Sequence, residues 1–396
     1  MTAQSDYEAL VQRRLKLDLT RGKPSARQLD LSNAMIGLPA AVKAADGTDA
    51  RNYGNLQGLT ETRELFAGAL QVPAGQLVVG GNSSLAVMHD TIVFALLGRV
   101  PGAERRWADQ EITFLAPVPG YDRHFGICER YGIKMIPVPM TADGPDMDVV
   151  ERLVAEDASV KGIWCVPKYS NPSGLTYSDE VVRRLASMPA APDFRIMWDN
   201  AYAVHHLGDE HDQLADLLAL CAEHGNPDRA FVFGSTSKIT LAGSGISFFG
   251  GSPANVEWFL SHTVKQSIGP DKLNQLRHVE FLRDPEGLAA HMRKHAELLR
   301  PKFELVDRIL TEELGDLATW TAPRGGYFVT LQVPNAREVI ARAKAAGVAL
   351  TPAGSTHPYL NDPDDRFIRI APSFPELDEL ELAMRALVTC VRVANA

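Results

Sequence analysis

Six short apolar runs, at residues 76–79, 112–116, 134–138, 162–166, 195–198 and 230–233, constrain this chain more than any other feature. They are rich in β-branched residues and separated by amphipathic stretches, so they predict strands buried on both faces by helices. That pattern is an α/β domain with a largely parallel sheet. Several runs end in turn residues, clustered at 80–84, 117–120, 170–174 and 234–237. In open α/β sheets ligands bind beyond the carboxyl ends of strands, which makes these clusters the place to seek a site.

With 396 residues, 45% of them hydrophobic, the chain can bury one large core and a smaller one. From about residue 285 to 314 the pattern becomes helical, with Leu299, Phe303, Val306 and Leu310 on one face, which suits a connector between domains. Beyond it, residues 325–333 read as a strand, 336–346 as a helix and 367–370 as a further strand, together a small α+β lobe. The formal charge of -9 without a basic block argues against nucleic acid or an anionic membrane, leaving small molecules or a second copy as partners. Cys128, Cys165, Cys221 and Cys390 are scattered, suggesting neither a metal knuckle nor a disulfide framework. Residues 1–10 lack the basic start and apolar core of a signal peptide, and no apolar run approaches bilayer length, so a cytoplasmic location is expected.

Lys238 follows the run at 230–233 and two small hydroxyl residues able to bond a phosphate, in a Gly-rich and otherwise apolar stretch reaching Gly251. Most lysines are solvated charges. One with few charged neighbours has a lowered ammonium pKa and can attack a carbonyl as an amine. Asp199 ends another apolar run. It suits a helix cap or turn, and equally a carboxylate beneath a pyridine ring, where it keeps the ring nitrogen protonated. Tyr202, three residues on, can offer its hydroxyl on the same side of a turn. Asn171, in Ser-Asn-Pro-Ser-Gly, is by itself ordinary turn chemistry. The segment Gly80, Gly81, Asn82, Ser83, Ser84 lies between a strand and a helix, where free N–H groups attract an anion or simply start a capped helix.

Taken in order, Asn171, Asp199, Tyr202, Ser235, Ser237 and Lys238 resemble the fold-type I pyridoxal-phosphate (PLP) enzymes, and within them the class I/II aminotransferases. The resemblance runs from the segment 17–24 to Arg369 and so covers nearly the whole chain. It implies a large PLP-binding domain over 48–290 with a mostly parallel, seven-stranded type of sheet. A smaller α+β domain would be built from 1–47 and 291–396. By the same resemblance Lys238 carries the cofactor as a Schiff base and shuttles a proton, while Asp199 pairs with the ring nitrogen. Tyr202 and Asn171 bond the ring oxygen, Tyr121 stacks on the ring, and Arg369 grips the substrate α-carboxylate close to Gly22. Ser83, Ser84, Ser235 and Ser237 contact the phosphate. Tyr53 crosses a homodimer interface to the partner's phosphate.

One position departs from the family. Where relatives place an arginine after the lysine to neutralise the phosphate, this chain reads Ser244-Gly245-Ile246-Ser247. The segments Ser-Thr-Ser-Lys-Ile-Thr and Ser-Phe-Phe-Gly-Gly resemble a divergent bacterial aspartate aminotransferase branch, which implies L-aspartate and 2-oxoglutarate as substrates. A dicarboxylic substrate needs a second cation, and Arg21, Lys23, Arg123 and Lys168 all lie near expected site loops. A transaminase for another amino acid and a fold-type I decarboxylase or lyase remain alternatives, since the same cofactor serves all of them. A regulator using such a domain as an effector sensor would need a helix-turn-helix segment, for which the 16 residues before Leu17 are too few.

Overall fold

In the computed structural model, which describes residues 3–396, all six apolar runs become strands of one eight-stranded sheet. Residues 1 and 2, at the head of the amino-terminal stretch read above, lie outside the described residues. The order across the sheet is Leu77–Gly80, Ser247–Gly250, Ala230–Ser235, Arg195–Asp199, Val160–Cys165, Thr113–Val118, Lys134–Thr141 and Gly144–Pro145. From Ala230–Ser235 through Lys134–Thr141 every neighbouring pair is parallel. Ser247–Gly250 pairs antiparallel with both its neighbours, and Gly144–Pro145 is a two-residue antiparallel edge beyond the other seven strands.

Successive side chains on a strand point to opposite faces, and here both faces are covered. Leu115, Ile163, Ile196 and Val232 join one apolar core, whereas Phe114, Trp164, Met197 and Phe231 join another on the opposite face. This two-sided burial is why the runs are continuously apolar rather than alternating. From the strand Thr113–Val118 the chain moves to Lys134–Thr141 on one side and then returns to Val160–Cys165 on the other. That reversal opens a crevice at the carboxyl ends of these strands.

A third core gathers Leu10 and Leu19 with residues from the carboxyl-terminal third, including Leu331, Ile370 and Leu387. The strand Leu17–Asp18 pairs parallel with Val348–Ala349, and the backbone of Leu19 bonds both Ala349 and Ala371. Thr319–Trp320, Val329–Gln332 and Phe367–Ile370 form a three-stranded antiparallel sheet beside it. The helix Pro285–Glu313 starts where Asp284 accepts a hydrogen bond from the Gly287 N–H, with proline at its first position. Its Leu288 and Met292 belong to a core of the large sheet, while Leu299, Phe303, Val306 and Leu310 belong to the third core, so one helix ties the two together.

Two segments differ from the sequence reading. Residues 325–333 are a strand only over Val329–Gln332, because Gly325 and Gly326 press onto Tyr169; a Cβ on Gly325 would lie 2.3 Å from its ring. The Gly-rich stretch after Lys238 contains the buried strand Ser247–Gly250. Among the described residues no helix is long and apolar enough to cross a membrane.

Leu19 is fully buried and stitches the amino-terminal segment to the carboxyl-terminal lobe. Leu19→Ala should lower unfolding stability by about 2–5 kcal/mol in urea titrations of the holoenzyme. A loss below about 1 kcal/mol would contradict this packing role.

Candidate active site

The carboxyl ends of five strands, Leu77–Gly80, Thr113–Val118, Val160–Cys165, Arg195–Asp199 and Ala230–Ser235, lead into residues that line one cavity of about 500 Å³, which also takes wall residues from the amino-terminal segment and from the third core. Of the residues singled out in the sequence, Gly22, Ser84, Tyr121, Asn171, Asp199, Tyr202, Lys238 and Arg369 line it.

Asp199 is the last residue of its strand and is almost fully buried. Its Oδ2 contacts His124 Nε2 at 3.0 Å, while Oδ1 is buried without a hydrogen-bond partner. His124 is held in turn by stacking on Trp164, with ring centroids 4.2 Å apart and planes within 11°. A buried carboxylate oxygen without a donor costs about 1–3 kcal/mol or more, so this one suits a ligand that brings an N–H. A protonated pyridine nitrogen is such a donor, and the site passes this test of fit to PLP.

Lys238 lies beyond the strand Ala230–Ser235 with Nζ 5.1 Å from the centre of the Tyr202 ring. Burial lowers its ammonium pKa, opposed by the charge of Asp199, so the neutral amine is more accessible than in water. Its main-chain carbonyl accepts hydrogen bonds from His205 Nε2 at 3.3 Å and the Tyr327 hydroxyl at 3.4 Å. Burial keeps His205 neutral, with its pKa pushed down to about 3. Tyr202 is held well above the usual phenol range by burial, and Tyr121 is pushed up to about 12 by burial and then by Asp199 and Asp122. Both hydroxyls therefore stay protonated as donors.

Arg369 projects from the strand Phe367–Ile370 and is fixed from three segments. Nη1 donates to Asp122 Oδ1 and Asn171 Oδ1, each at 3.2 Å, and Nη2 donates to the Thr20 carbonyl at 3.3 Å. The guanidinium also lies 5.0 Å from the Phe328 ring centre, while Nε is buried without a partner. Gly22 comes so near the same ring that a Cβ would lie 2.2 Å from it. A planar fork held this way suits two-pronged pairing with a carboxylate.

Ser83, Ser235, Ser237 and Tyr53 do not line the cavity. Ser83 caps the helix Ser84–Leu97 by accepting from the Ala86 N–H. Ser237 Oγ donates to the Asn82 carbonyl at 3.2 Å, so the two serine-bearing turns touch. Tyr53 is 79% exposed, on a loop whose Asn52 and Gly54 carbonyls accept from the buried Lys272 ammonium. The turn lacking the family's arginine is held by Asn274 Nδ2, which donates to the carbonyls of Ser244 and Gly245. Arg277 reaches that turn only through Asn274 and spends its Nε on the Leu38 carbonyl. Of the four cations expected near the site, Arg21, Lys23 and Arg123 line the cavity, but Lys168 is turned away over the Tyr169 ring.

The sequence reading missed His124, His205, Asp122 and Tyr327. Only their three-dimensional contacts mark them, although His124 and Asp122 stand within three residues of the Pro-Gly-Tyr turn.

A family model described as aspartate amino-transferase matches residues 1–396. An aspartate aminotransferase of Corynebacterium glutamicum is 49% identical over 398 residues, spanning 98% of this chain and 92% of that protein. The crystal structure of an aspartate transaminase from Corynebacterium glutamicum matches with a TM-score of 0.97 at 48% identity, covering 99% of this chain and 94% of that one. A multiple substrate aminotransferase of Thermococcus profundus, at 18% identity, shares the fold with a TM-score of 0.78 and covers 100% of this chain and 96% of its own. This chain therefore belongs to the aspartate aminotransferase family and is an aminotransferase of the fold-type I class.

Proposed function

We propose that the cavity binds pyridoxal phosphate at Lys238 and moves the amino group of L-aspartate to 2-oxoglutarate in two half-reactions. The observation that carries this reading is one cavity holding a depressed-pKa amine, a buried carboxylate with one free oxygen, and a guanidinium fixed from three sides. When bound, the cofactor supplies an electron sink for negative charge at the substrate α-carbon.

The chain's own groups account for the rest. Asp199, oriented by His124, would accept the ring N–H through its free oxygen. Tyr202 and Asn171 would donate to the ring oxygen; since Asn171 Oδ1 is already taken by Arg369, its amide N–H remains available. Tyr121 would cover one ring face. Arg369 would orient the α-carboxylate, a task that favours a reaction retaining this carboxylate over decarboxylation. Lys238, as a neutral amine, would take and return the proton at the α-carbon.

In place of an arginine, the hydroxyls of Ser83, Ser235 and Ser237 and the helix start at Ser84 would share the phosphate. The exposed Tyr53 would join them from the second copy of a homodimer. Ser237 would have to turn its O–H away from Asn82 to do so. The same reading divides the chain into a large domain over 48–290 and a small one from 1–47 and 291–396, and places the enzyme in the cytoplasm.

An amino-donor panel against 2-oxoglutarate should show L-aspartate as the preferred donor, with oxaloacetate and glutamate formed in equal amounts. Carbon dioxide release without glutamate would instead indicate a decarboxylase. For the phosphate, Tyr53→Phe and Ser237→Ala should each weaken PLP retention by roughly 2- to 10-fold in dialysis against a competing amine, and more in combination. Retention equal to the parent in both variants would rule out shared hydroxyls.

A further inference from the structure

We propose that Gln28 is a positioning residue for the reaction: through Tyr327 and His295 it directs the hydrogen bonds that hold the main chain of the Lys238 turn, and so places the reacting amine in the cavity. The inference rests on reading Lys238 as the cofactor lysine, and it names what holds that lysine from behind.

The turn over 236–240 has little of its own to fix it. The N–H groups of Ile239 and Thr240 both donate to the Thr236 carbonyl. The carbonyls of Lys238 and Ile239 have no such support, for among the described residues no main-chain N–H donates to either. Side chains from distant segments take that place. The Lys238 carbonyl accepts from His205 and Tyr327, and the Ile239 carbonyl accepts from His291 Nε2 at 2.7 Å. His291 and His295 stand four residues apart on the helix Pro285–Glu313, and His295 also reaches the Ile239 carbonyl. Packing alone would be served by apolar side chains; a buried polar cluster has a cost unless every member is paired, and this one converges on the two carbonyls at the reacting lysine.

Gln28 decides which way these bonds run. It is fully buried on the helix Ala26–Asp30. Its Oε1 accepts from the Ser25 N–H at 3.1 Å, and because a main-chain N–H only donates, the amide has one orientation. Nε2 then faces the Tyr327 oxygen at 2.9 Å and His295 Nδ1 at 3.2 Å. The Tyr327 hydroxyl, kept protonated by burial and already accepting from Gln28, sends its own hydrogen to the Lys238 carbonyl. Burial also keeps His295 neutral, its pKa pushed down to about 4. A neutral ring that accepts at Nδ1 carries its one hydrogen on Nε2, the nitrogen left to donate toward Ile239. One amide thus sets donors on both carbonyls. Ser25, which orients it through a capping box, stands two residues beyond Lys23 of the cavity wall, so wall and lysine are held from the same short helix.

The test compares the parent holoenzyme with Tyr327→Phe, Gln28→Leu, their double variant, and Leu387→Ala, which weakens the third core without touching these groups. Two readouts are taken at equal PLP content: kcat and KM for the amino donor, and the pH midpoint of the visible absorbance change of the bound cofactor. Each single variant should lose roughly 5- to 50-fold in kcat with KM within about 3-fold, the pattern of a displaced reacting group. The absorbance midpoint should move by at least about 0.5 pH unit, since the amine sits in a changed place relative to Asp199. The double variant should lose less than the product of the single losses, because both groups act on Lys238 along one chain of bonds. Leu387→Ala should lower the melting temperature and leave kcat and the midpoint near parental values. Tyr327→Phe removes one oxygen and carries the test by itself if Gln28→Leu does not fold. Parental kcat and midpoint in Tyr327→Phe would overturn the proposal, as would losses that Leu387→Ala reproduces or a double variant whose losses multiply. A parent whose cofactor is not on Lys238 would overturn the reading of the site and the proposal with it, whereas the variant results bear on the proposal alone.

Discussion

The site depends on a carboxylate that the fold has taken out of water. Asp199 ends a strand buried along its length, and an ion in such a place is tolerated only when its oxygens find donors. His124 satisfies one oxygen, and the stacking of His124 on Trp164 fixes the direction of that bond. The other oxygen is thereby committed to the cavity, where Lys238 and Tyr202 also converge. Placing a charge there has a stability cost that makes sense only if something within the cavity uses it.

Arg369 sets the second half of the geometry. Its guanidinium draws together Thr20 from the amino-terminal segment, Asp122 from a helix start, Asn171 from a strand-end turn and its own carboxyl-terminal strand. Segments from both ends of the chain and from the large sheet thus close around one cation. The third core supports this arrangement, because Leu19 and Ile370 pack in the same cluster immediately beside Thr20 and Arg369.

Much of this was legible in the sequence because local rules and global burial agree. Apolar runs marked every parallel strand of the eight-stranded sheet, since a strand buried on both faces leaves no room for alternation. Phe367–Ile370 matched the expected boundaries, and Ala336–Ala345 fell one residue short of them. What escaped depends on distance or on shape. Ser247–Gly250 is short and bounded by glycines, and its strand character comes from lying between two other strands. His124 meets its carboxylate across 75 positions, a pairing no local pattern encodes. Lys168 is adjacent in sequence to a site turn yet faces Tyr169, because nearness along the chain does not fix where a side chain points. Tyr53 lies outside the cavity of its own chain, so its expected role becomes meaningful only with a second copy.

The central claim is that Lys238 holds the cofactor. Borohydride reduction of the purified holoenzyme, followed by peptide mapping with mass spectrometry, tests it most directly. The account predicts a single pyridoxyl adduct on the peptide containing Lys238, and loss of that adduct in Lys238→Ala. An adduct on another lysine of the cavity, Lys23 above all, or none on a protein that still transaminates, would contradict it.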